Sequence, residues 1–183
     1  VDVARVRVEP GAVGELLAAL GQDPDGEHLI DTPRRVVDGL IELLTPEPFA
    51  LTTFANDGGY SELVLVRDIP FTSLCEHHML PFRGIAHVGY VPSERIVGLS
   101  KLARVVDWFA RGLQVQERLT AQIADHLERH LDPLGVGVAL EAEHMCMSIR
   151  GVRAGGATTV TSAFRGDIAR DPALRAQFSS GAR

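Results

Sequence analysis

Two amphipathic stretches in the second half of the sequence limit the possible folds more than any other feature. The first spans about residues 99–112, and the second spans about residues 115–131. Apolar residues at helical spacing mark one face of each stretch: Leu102, Val105, Val106, Phe109 and Leu113 in the first, and Leu119, Ile123, Leu127 and Leu131 in the second. Both stretches predict helices, joined by a short turn around Gly112, whose apolar faces need a common surface to cover.

Strand-like segments flank this helical pair on both sides. Residues 63–69 and 84–91 precede it, residues 135–149 and 157–165 follow it, and all four are rich in alternating or β-branched residues. The order strand, strand, helix, helix, strand, strand predicts an α+β fold. We expect an antiparallel four-stranded sheet (ββααββ) with two long helices on one face.

The first part of the chain is predicted to be helical. Apolar spacing indicates a short helix at about 11–20, and Asp31-Thr32-Pro33 is typical of a capped start of a second helix over 33–44. We therefore expect an N-terminal helical segment at residues 1–50 and a catalytic domain at residues 51–183. Pro172 predicts the start of a short terminal helix.

Charge and hydropathy exclude several classes of partner. The net charge is -6 and the pI is about 5.6, so we expect no nucleic acid and no anionic membrane as partners. No run of about 18 apolar residues occurs. The first ten residues carry Asp2 and two arginines instead of an apolar leader, which predicts a cytoplasmic protein with reduced cysteines.

The two cysteines lie in a pattern that suits a metal ion. Cys75 and His78 are three residues apart, so both side chains can reach one ion, and Cys146 lies far along the chain. Three protein ligands would leave the fourth position of a tetrahedral zinc for water, as in catalytic sites. Alternatively, these cysteines and histidines are ordinary core residues that bind no metal. Their spacing alone does not decide between the two interpretations.

Two further histidines lie beside these residues. His77 is next to His78, and His144 would share a strand face with Cys146 if the strand over 135–149 is continuous. One imidazole could activate water while another protonates a leaving nitrogen. His77 could instead orient the site without acting on the substrate.

Four ordered blocks of the sequence resemble the GTP cyclohydrolase I family. They are CEHHMLPFRGIAHVGYVP at 75–92, GLSKLARVVDWFARGLQVQERLTAQIADHL at 98–127, EAEHMCMSIRGV at 141–152 and TTVTSAF at 158–164. The resemblance covers about residues 31–178. It implies the tunnelling fold and a homodecamer of two stacked pentamers. The implied reaction opens the imidazole ring of GTP at C8, releases formate and forms 7,8-dihydroneopterin triphosphate.

The same resemblance implies roles for individual residues. Cys75, His78 and Cys146 would bind Zn²⁺, while His77 and His144 would be catalytic. Substrate contacts are implied for Glu117, Gln116, Ser100, Lys101, Arg104, Arg150 and Arg35, of which Arg35 would reach a neighbouring subunit's site. Purely structural alternatives exist for four of these positions: Glu117 as a helix N-terminal charge, Ser100 as a helix cap, and Lys101 and Arg104 as a solvated helix face.

Three rival functions stay open at this point. A related nitrile reductase would use a cysteine nucleophile, but such an enzyme needs a lone activated thiol. A paralogue could open a purine nucleotide and stop at the formamidopyrimidine, or serve a deazapurine pathway. A zinc-stabilised assembly module would normally show four protein ligands, and only three are evident. The linker at 56–60 also departs from the family's more acidic pattern, which affects outer contacts and not the site.

Overall fold

The computed structural model describes residues 9–182. Residues 1–8, on which the expectation about a leader depends, lie outside the described residues. The described chain separates into two compact units, one ending at Pro46 and the other beginning at Glu47. No helix within residues 9–182 has both the length and the apolar character needed to cross a membrane. The assignment of catalysis to residues 51–183 stays a prediction.

The first unit contains the two predicted helices. Helix α1 spans Pro10–Ala19 and α2 spans Thr32–Leu44, and the two helices contact each other. The expected side-chain cap by Asp31 is wrong. Its backbone already has helical angles (φ -93°, ψ -9°), and its carboxylate accepts a hydrogen bond from the Arg35 guanidinium at 3.0 Å. A capping residue needs an extended backbone to turn its side chain onto the first free N–H groups.

The second unit confirms the predicted order of strands and helices. Its elements are β1 (Thr53–Ala55), β2 (Val64–Cys75), β3 (Pro81–Val91), β4 (Arg95–Val97), α3 (Leu99–Ala110), β5 (Leu113–Gln114), α4 (Gln116–Leu131), β6 (Gly135–His144), α5 (Met145–Ser148), β7 (Thr158–Arg165), α6 (Gly166–Arg170) and α7 (Pro172–Gly181). Strands β2 and β3, helices α3 and α4, and strands β6 and β7 form the ββααββ unit, the order expected of the tunnelling fold.

The main sheet has one strand more than predicted. Its order is β5-β2-β3-β6-β7, and the pairs β2–β3, β3–β6 and β6–β7 are antiparallel as expected. The additional strand β5 has only two residues and pairs in parallel with the end of β2, Leu113 with Leu74 and Gln114 with Cys75. Leu113 was expected on the apolar face of α3, but it lies in β5 and is 42% exposed.

Helices α3 and α4 cover one face of this sheet, as their apolar spacing predicts. The helical residues Leu102, Val105, Val106, Leu119, Ile123 and Leu127 are fully buried and share one core cluster with Phe71, Phe82, Val88, Val138 and Leu140 of the sheet. Each such leucine contributes about 1.5–3 kcal/mol by leaving water. Phe178 of α7 belongs to a second cluster, and its ring lies where a side chain at Gly137 would project, 2.8 Å from the position of a Cβ.

The predicted strand over residues 135–149 is too long. Strand β6 ends at His144, and the next four residues form the helical turn α5. The β3–β6 ladder ends where Phe82 pairs with His144, because β3 begins one residue earlier at Pro81, which has no N–H to donate. Without a partner strand the chain satisfies its backbone groups by a turn. Cys146 is therefore not on the same strand face as His144.

Candidate active site and metal centre

A cavity of about 230 Å³ lies where the end of β2, the start of α4 and the end of β6 meet. It brings together seven of the residues singled out from the sequence. The three predicted metal ligands Cys75, His78 and Cys146 line it, together with His77, Gln116, Glu117 and His144. These residues come from three sequence blocks that are far apart along the chain, so the fold creates the cluster.

A tight turn after β2 sets the positions of Cys75 and His78. The Cys75 carbonyl accepts hydrogen bonds from the backbone N–H groups of His78 (3.3 Å) and Met79 (2.8 Å), while the Cys75 N–H donates to the Leu80 carbonyl at 2.9 Å. Met79 has φ 53°, in the left-handed region that reverses the chain. The turn therefore folds the His78 ring back beside the Cys75 sulfur.

The donor atoms of Cys75, His78 and Cys146 fit a small metal ion. Cys75 Sγ lies 3.8 Å from His78 Nδ1, and the ligand atoms of all three residues lie within 4.8 Å of one another. Bonds to zinc of about 2.3 Å from sulfur and about 2.1 Å from nitrogen would put tetrahedral ligand atoms roughly 3.5–3.8 Å apart. Thiolate and imidazole donors are also the types that zinc prefers. A Cys-His-Cys group able to bind a metal is present.

The charge environment of the two sulfurs favours such an ion. Burial raises the pKa of the Cys146 thiol, the neighbouring Cys75 raises it further, and the Arg150 guanidinium acts in the opposite direction. The Cys146 thiol therefore resists becoming a thiolate beside Cys75. A bound dication reverses this balance, because it stabilises both negative charges.

His77 lies at the outer edge of the cavity. Its side chain is 64% exposed, and its Nδ1 is 3.8 Å from Cys75 Sγ, the same separation as for His78. Its Nε2 lies 4.0 Å from a carboxylate oxygen of Glu76. His77 is thus near the predicted metal ligands and open to solvent, a position compatible with proton transfer and with an orienting role.

His144 is held much more firmly. Its ring stacks on Phe82 with centroids 4.6 Å apart and planes 1° apart, and its Nε2 lies 2.8 Å from Oε1 of Gln116. Burial lowers the pKa of His144, and the negative charge of Glu117 acts in the opposite direction. Glu117 lies in the first turn of α4, so its expected place at a helix N-terminus is confirmed.

The predicted substrate cations and Ser100 do not line this cavity. Lys101 and Arg104 lie on α3, half-buried and exposed respectively, and Arg150 is exposed just after α5. Arg35 is an exposed residue of α2 that pairs with Asp31 in the first unit. Ser100 is the second residue of α3 and Gly98 is the N-cap, so the interpretation of Ser100 as a helix cap is wrong.

Comparison with known proteins identifies the family. A family model described as GTP cyclohydrolase I matches residues 10–183. The chain belongs to the GTP cyclohydrolase I family. It is 53% identical over 181 residues to GTP cyclohydrolase 1 of Mycolicibacterium gilvum, covering 96% of this chain and 89% of that protein. It is 56% identical over 176 residues to GTP cyclohydrolase 1 of Streptomyces griseus, covering 92% of this chain and 86% of that protein.

Among solved structures, the archaeosine synthase QueF-Like in its apo form resembles this chain with a TM-score of 0.47 and 18% sequence identity. That likeness covers 57% of this chain and 93% of the other.

Sequence reasoning missed several residues of this cyclohydrolase-family cavity. Gln114, Val115, Met147 and Thr159 also line it. Thr159 had a usable signal, because it alternates with Thr161 along β7, and two polar residues on one strand face are unusual opposite a helix. No sequence signal pointed to Gln114 or Met147, because their positions depend on β5 and α5, which are too short to recognise from the sequence.

Arg118 is another residue that the sequence did not single out. Its guanidinium donates to a Glu76 carboxylate oxygen, to the Leu113 carbonyl at 2.8 Å and to the Gln114 side chain at 2.9 Å. The backbone N–H of Glu76 donates in turn to the Gln114 carbonyl at 3.0 Å. Arg118 therefore ties the turn after Cys75 to β5 and to the first turn of α4.

Proposed function

We propose that this chain hydrolyses the imidazole ring of GTP at C8, releases formate, rearranges the ribose and closes the pterin ring of 7,8-dihydroneopterin triphosphate. The observation that carries the proposal is the convergence of Cys75, His78 and Cys146 with His144 and Glu117 in one cavity. Ring opening needs an activated water, a proton donor and a holder for guanine, and this set supplies one residue type for each need.

Cys75, His78 and Cys146 would hold Zn²⁺. Zinc at such a site supplies a water molecule with its pKa lowered to about 7, which makes hydrolysis of C8 feasible at neutral pH. The protein's part is to leave the fourth position open, and only three residues form the metal-binding group among the described residues. Four protein ligands would instead suit a structural zinc.

His144 is the proposed acid that protonates N7 of the purine, which makes C8 more electrophilic. Its lowered pKa makes it a weak base and a ready proton donor once charged. His77, exposed at the edge of the cavity, is the proposed partner for proton movement during ring opening. Both histidines line the same cavity as the metal-binding group.

Glu117 is the proposed anchor for the guanine base. A carboxylate can accept two hydrogen bonds, one from N1–H and one from the 2-amino group, and this edge distinguishes guanine from adenine. Glu117 is exposed at the cavity, so its oxygens are free to meet a base there. Ser100 is proposed to contact the ribose.

Lys101, Arg104, Arg150 and Arg35 are proposed to bind the triphosphate, with Arg35 acting in a neighbouring subunit's site. Basic side chains are needed locally because the whole chain carries a net charge of -6. Exposure of Arg104, Arg150 and Arg35 supports this role. The proposed assembly is a homodecamer of two stacked pentamers, and the proposed setting is the cytoplasm, where the product would feed folate biosynthesis.

The decisive experiment incubates the zinc-loaded protein with GTP and measures both formate and the fluorescent pterin formed after oxidation. Both products are expected from the unaltered chain, and Cys146→Ala should lower both by more than about 1,000-fold and abolish bound zinc. Ser179→Ala, the same kind of truncation on the exposed face of α7, should leave both unchanged. Formate without pterin would support a paralogue that stops at the formamidopyrimidine, and neither product would overturn the proposal.

A further inference from the structure

The side chain of Gln116 has only one possible orientation. Gln116 is the first residue of α4 and is 1% exposed. Its Nε2 lies 3.1 Å from the Leu140 carbonyl oxygen and 2.8 Å from the Thr159 carbonyl oxygen. Backbone carbonyls only accept hydrogen bonds, so the atom facing them must be the amide nitrogen. The amide oxygen therefore faces the other way, toward His144.

Two threonines independently support this orientation. Thr120 Oγ1 lies 2.7 Å from the Gln116 backbone carbonyl, to which it donates its single hydrogen. In the 2.7 Å contact between Thr120 and Thr161, the donor must then be Thr161. The Thr161 oxygen is left to accept, and Gln116 Nε2 lies 3.1 Å from it. The two amide hydrogens of Gln116 are thus shared among three acceptors, and all three lie on the same side as Nε2.

The orientation of the amide decides which nitrogen of His144 carries the proton. Gln116 Oε1 lies 2.8 Å from His144 Nε2, and an amide oxygen can only accept. Nε2 must therefore be the N–H nitrogen. A neutral imidazole has a single N–H, so Nδ1 is the unprotonated nitrogen. The stacking of the ring on Phe82 fixes its plane while this hydrogen bond fixes its rotation.

We propose that Gln116 is a positioning residue that holds His144 in its Nε2–H tautomer, which leaves Nδ1 as the nitrogen whose lone pair is available to a substrate. In this role Gln116 contacts His144 and not the guanine base, because both N–H groups of its amide already face the sheet and Thr161.

The catalytic part of this inference depends on the proposed function, but the tautomer does not. The first test is therefore spectroscopic: ring ¹⁵N and ¹H NMR of the zinc-loaded protein labelled at histidine, recorded at pH 8. His144→Asn identifies the His144 signals by their loss. A proton on Nε2 and a bare Nδ1 are expected. A proton on Nδ1, alone or together with one on Nε2, would overturn the proposal whether or not the protein turns over GTP.

The second test separates positioning from substrate binding. Gln116→Met should lower kcat about 10- to 100-fold while KM for GTP changes less than about twofold. Gln116→Glu should recover most of kcat, since a protonated carboxyl group offers one O–H to the sheet and one oxygen to His144. Gln177→Met, the same change at an exposed position of α7, should have no effect.

Three kinetic outcomes would contradict the positioning role. One is a large rise in KM with kcat unchanged in Gln116→Met, which would indicate direct contact with the base. Another is an equal loss of kcat in the Met and Glu variants. The last is unchanged kinetics in a folded Gln116→Met protein. If circular dichroism shows that neither variant folds, the tautomer of the unaltered protein decides the matter alone.

Discussion

The cavity floor is the hydrogen-bonded group of Gln116, Thr120, Thr161 and His144, of which Gln116 and His144 line the cavity. It differs from the cavity rim, the turn at residues 76–79, of which His77 and His78 line the cavity. Gln116 and Thr120 of the floor are each 1% exposed, and directed hydrogen bonds connect the four floor residues. All four rim residues are exposed. The floor is therefore fixed by packing within one chain, whereas the rim has solvent-exposed polar side chains, of which Glu76 is paired with Arg118, that a metal ion, a substrate or another subunit can contact.

This difference suggests a division of labour within the site. Groups whose exact hydrogen positions matter belong where water cannot compete, because a buried polar group left without a partner costs about 1–3 kcal/mol. Groups that must meet a ligand belong where they can exchange water for it. The donor and acceptor pattern around His144 follows the first rule, and His77 and Glu117 follow the second.

Removal of the metal should have the largest effect and should act on the rim only. A chelator is expected to abolish formate production and to speed hydrogen exchange of the amides at residues 75–79 by at least about tenfold. Amides at residues 138–142 and 159–163, which lie in the sheet beneath the floor, should exchange as before. Mass spectrometry of exchanged peptides measures both regions in one sample. Equal acceleration in both regions would show that the floor also depends on the metal.

Substitution of Glu117 should affect recognition of the base while leaving the floor intact. Glu117→Gln is expected to lower kcat/KM for GTP about 100-fold, because an amide can no longer accept hydrogen bonds from both N1–H and the 2-amino group. Inosine triphosphate lacks that amino group, so the preference for GTP over inosine triphosphate should shrink. Glu128→Gln, at an exposed position of the same helix, is the matched control. A preserved preference in Glu117→Gln would assign base recognition to other residues.

A third prediction contrasts His144 with His126, a half-buried histidine that lies outside the hydrogen-bonded floor. His126 packs against the rings of Phe49, Phe109 and His130. Burial, followed by the charges of His130 and Arg129, lowers the pKa of His126 from 6.5 to about 4. Between these pH values the unfolded chain binds a proton that the folded chain does not. Stability should therefore fall as the pH drops from about 6.5 toward 4.

The size of this last effect is modest, because His126 is partly open to solvent. The free energy of unfolding of the unaltered chain should fall between pH 7 and pH 5. In His126→Gln this fall should be smaller by about 1 kcal/mol. Denaturant titrations at the two pH values measure it. His28→Gln, at an exposed position of the first unit, should leave the pH dependence as it is in the unaltered chain. Identical pH dependence in both variants would mean that the burial of His126 does not contribute.

The long elements could be predicted from the sequence because their periodicity is a direct consequence of what they bury. Leu119, Ile123, Leu127 and Leu131 recur every four residues and all four are buried in α4. The convergence of Cys75, His78 and Cys146 was predicted too, although by spacing and resemblance and not by geometry. The helix periodicity is set by residues that are close in sequence, and the metal-binding group is indicated by residue type.

The parts that escaped prediction depend on contacts between distant segments. The end of β6 is set by where β3 begins, so the alternation around Cys146 gave a misleading strand. The orientation of Gln116 is set by carbonyls and hydroxyls 24 to 45 residues further along the chain. Likewise, Leu113 has the apolar character of a helix face, and only its pairing with Leu74 places it in a strand.

The short strand β5 also restricts how the length of this chain can change. Leu113 and Gln114 are paired with the end of β2, and Val115 alone separates them from the first residue of α4. One residue inserted there would turn the start of the helix by about 100° relative to the sheet. Gln116 and Glu117 would then face away from His144 and the cavity. The connection at residues 56–60, by contrast, contributes no residue to the cavity lining, so insertions and deletions in this protein should be tolerated there and excluded between Leu113 and Glu117.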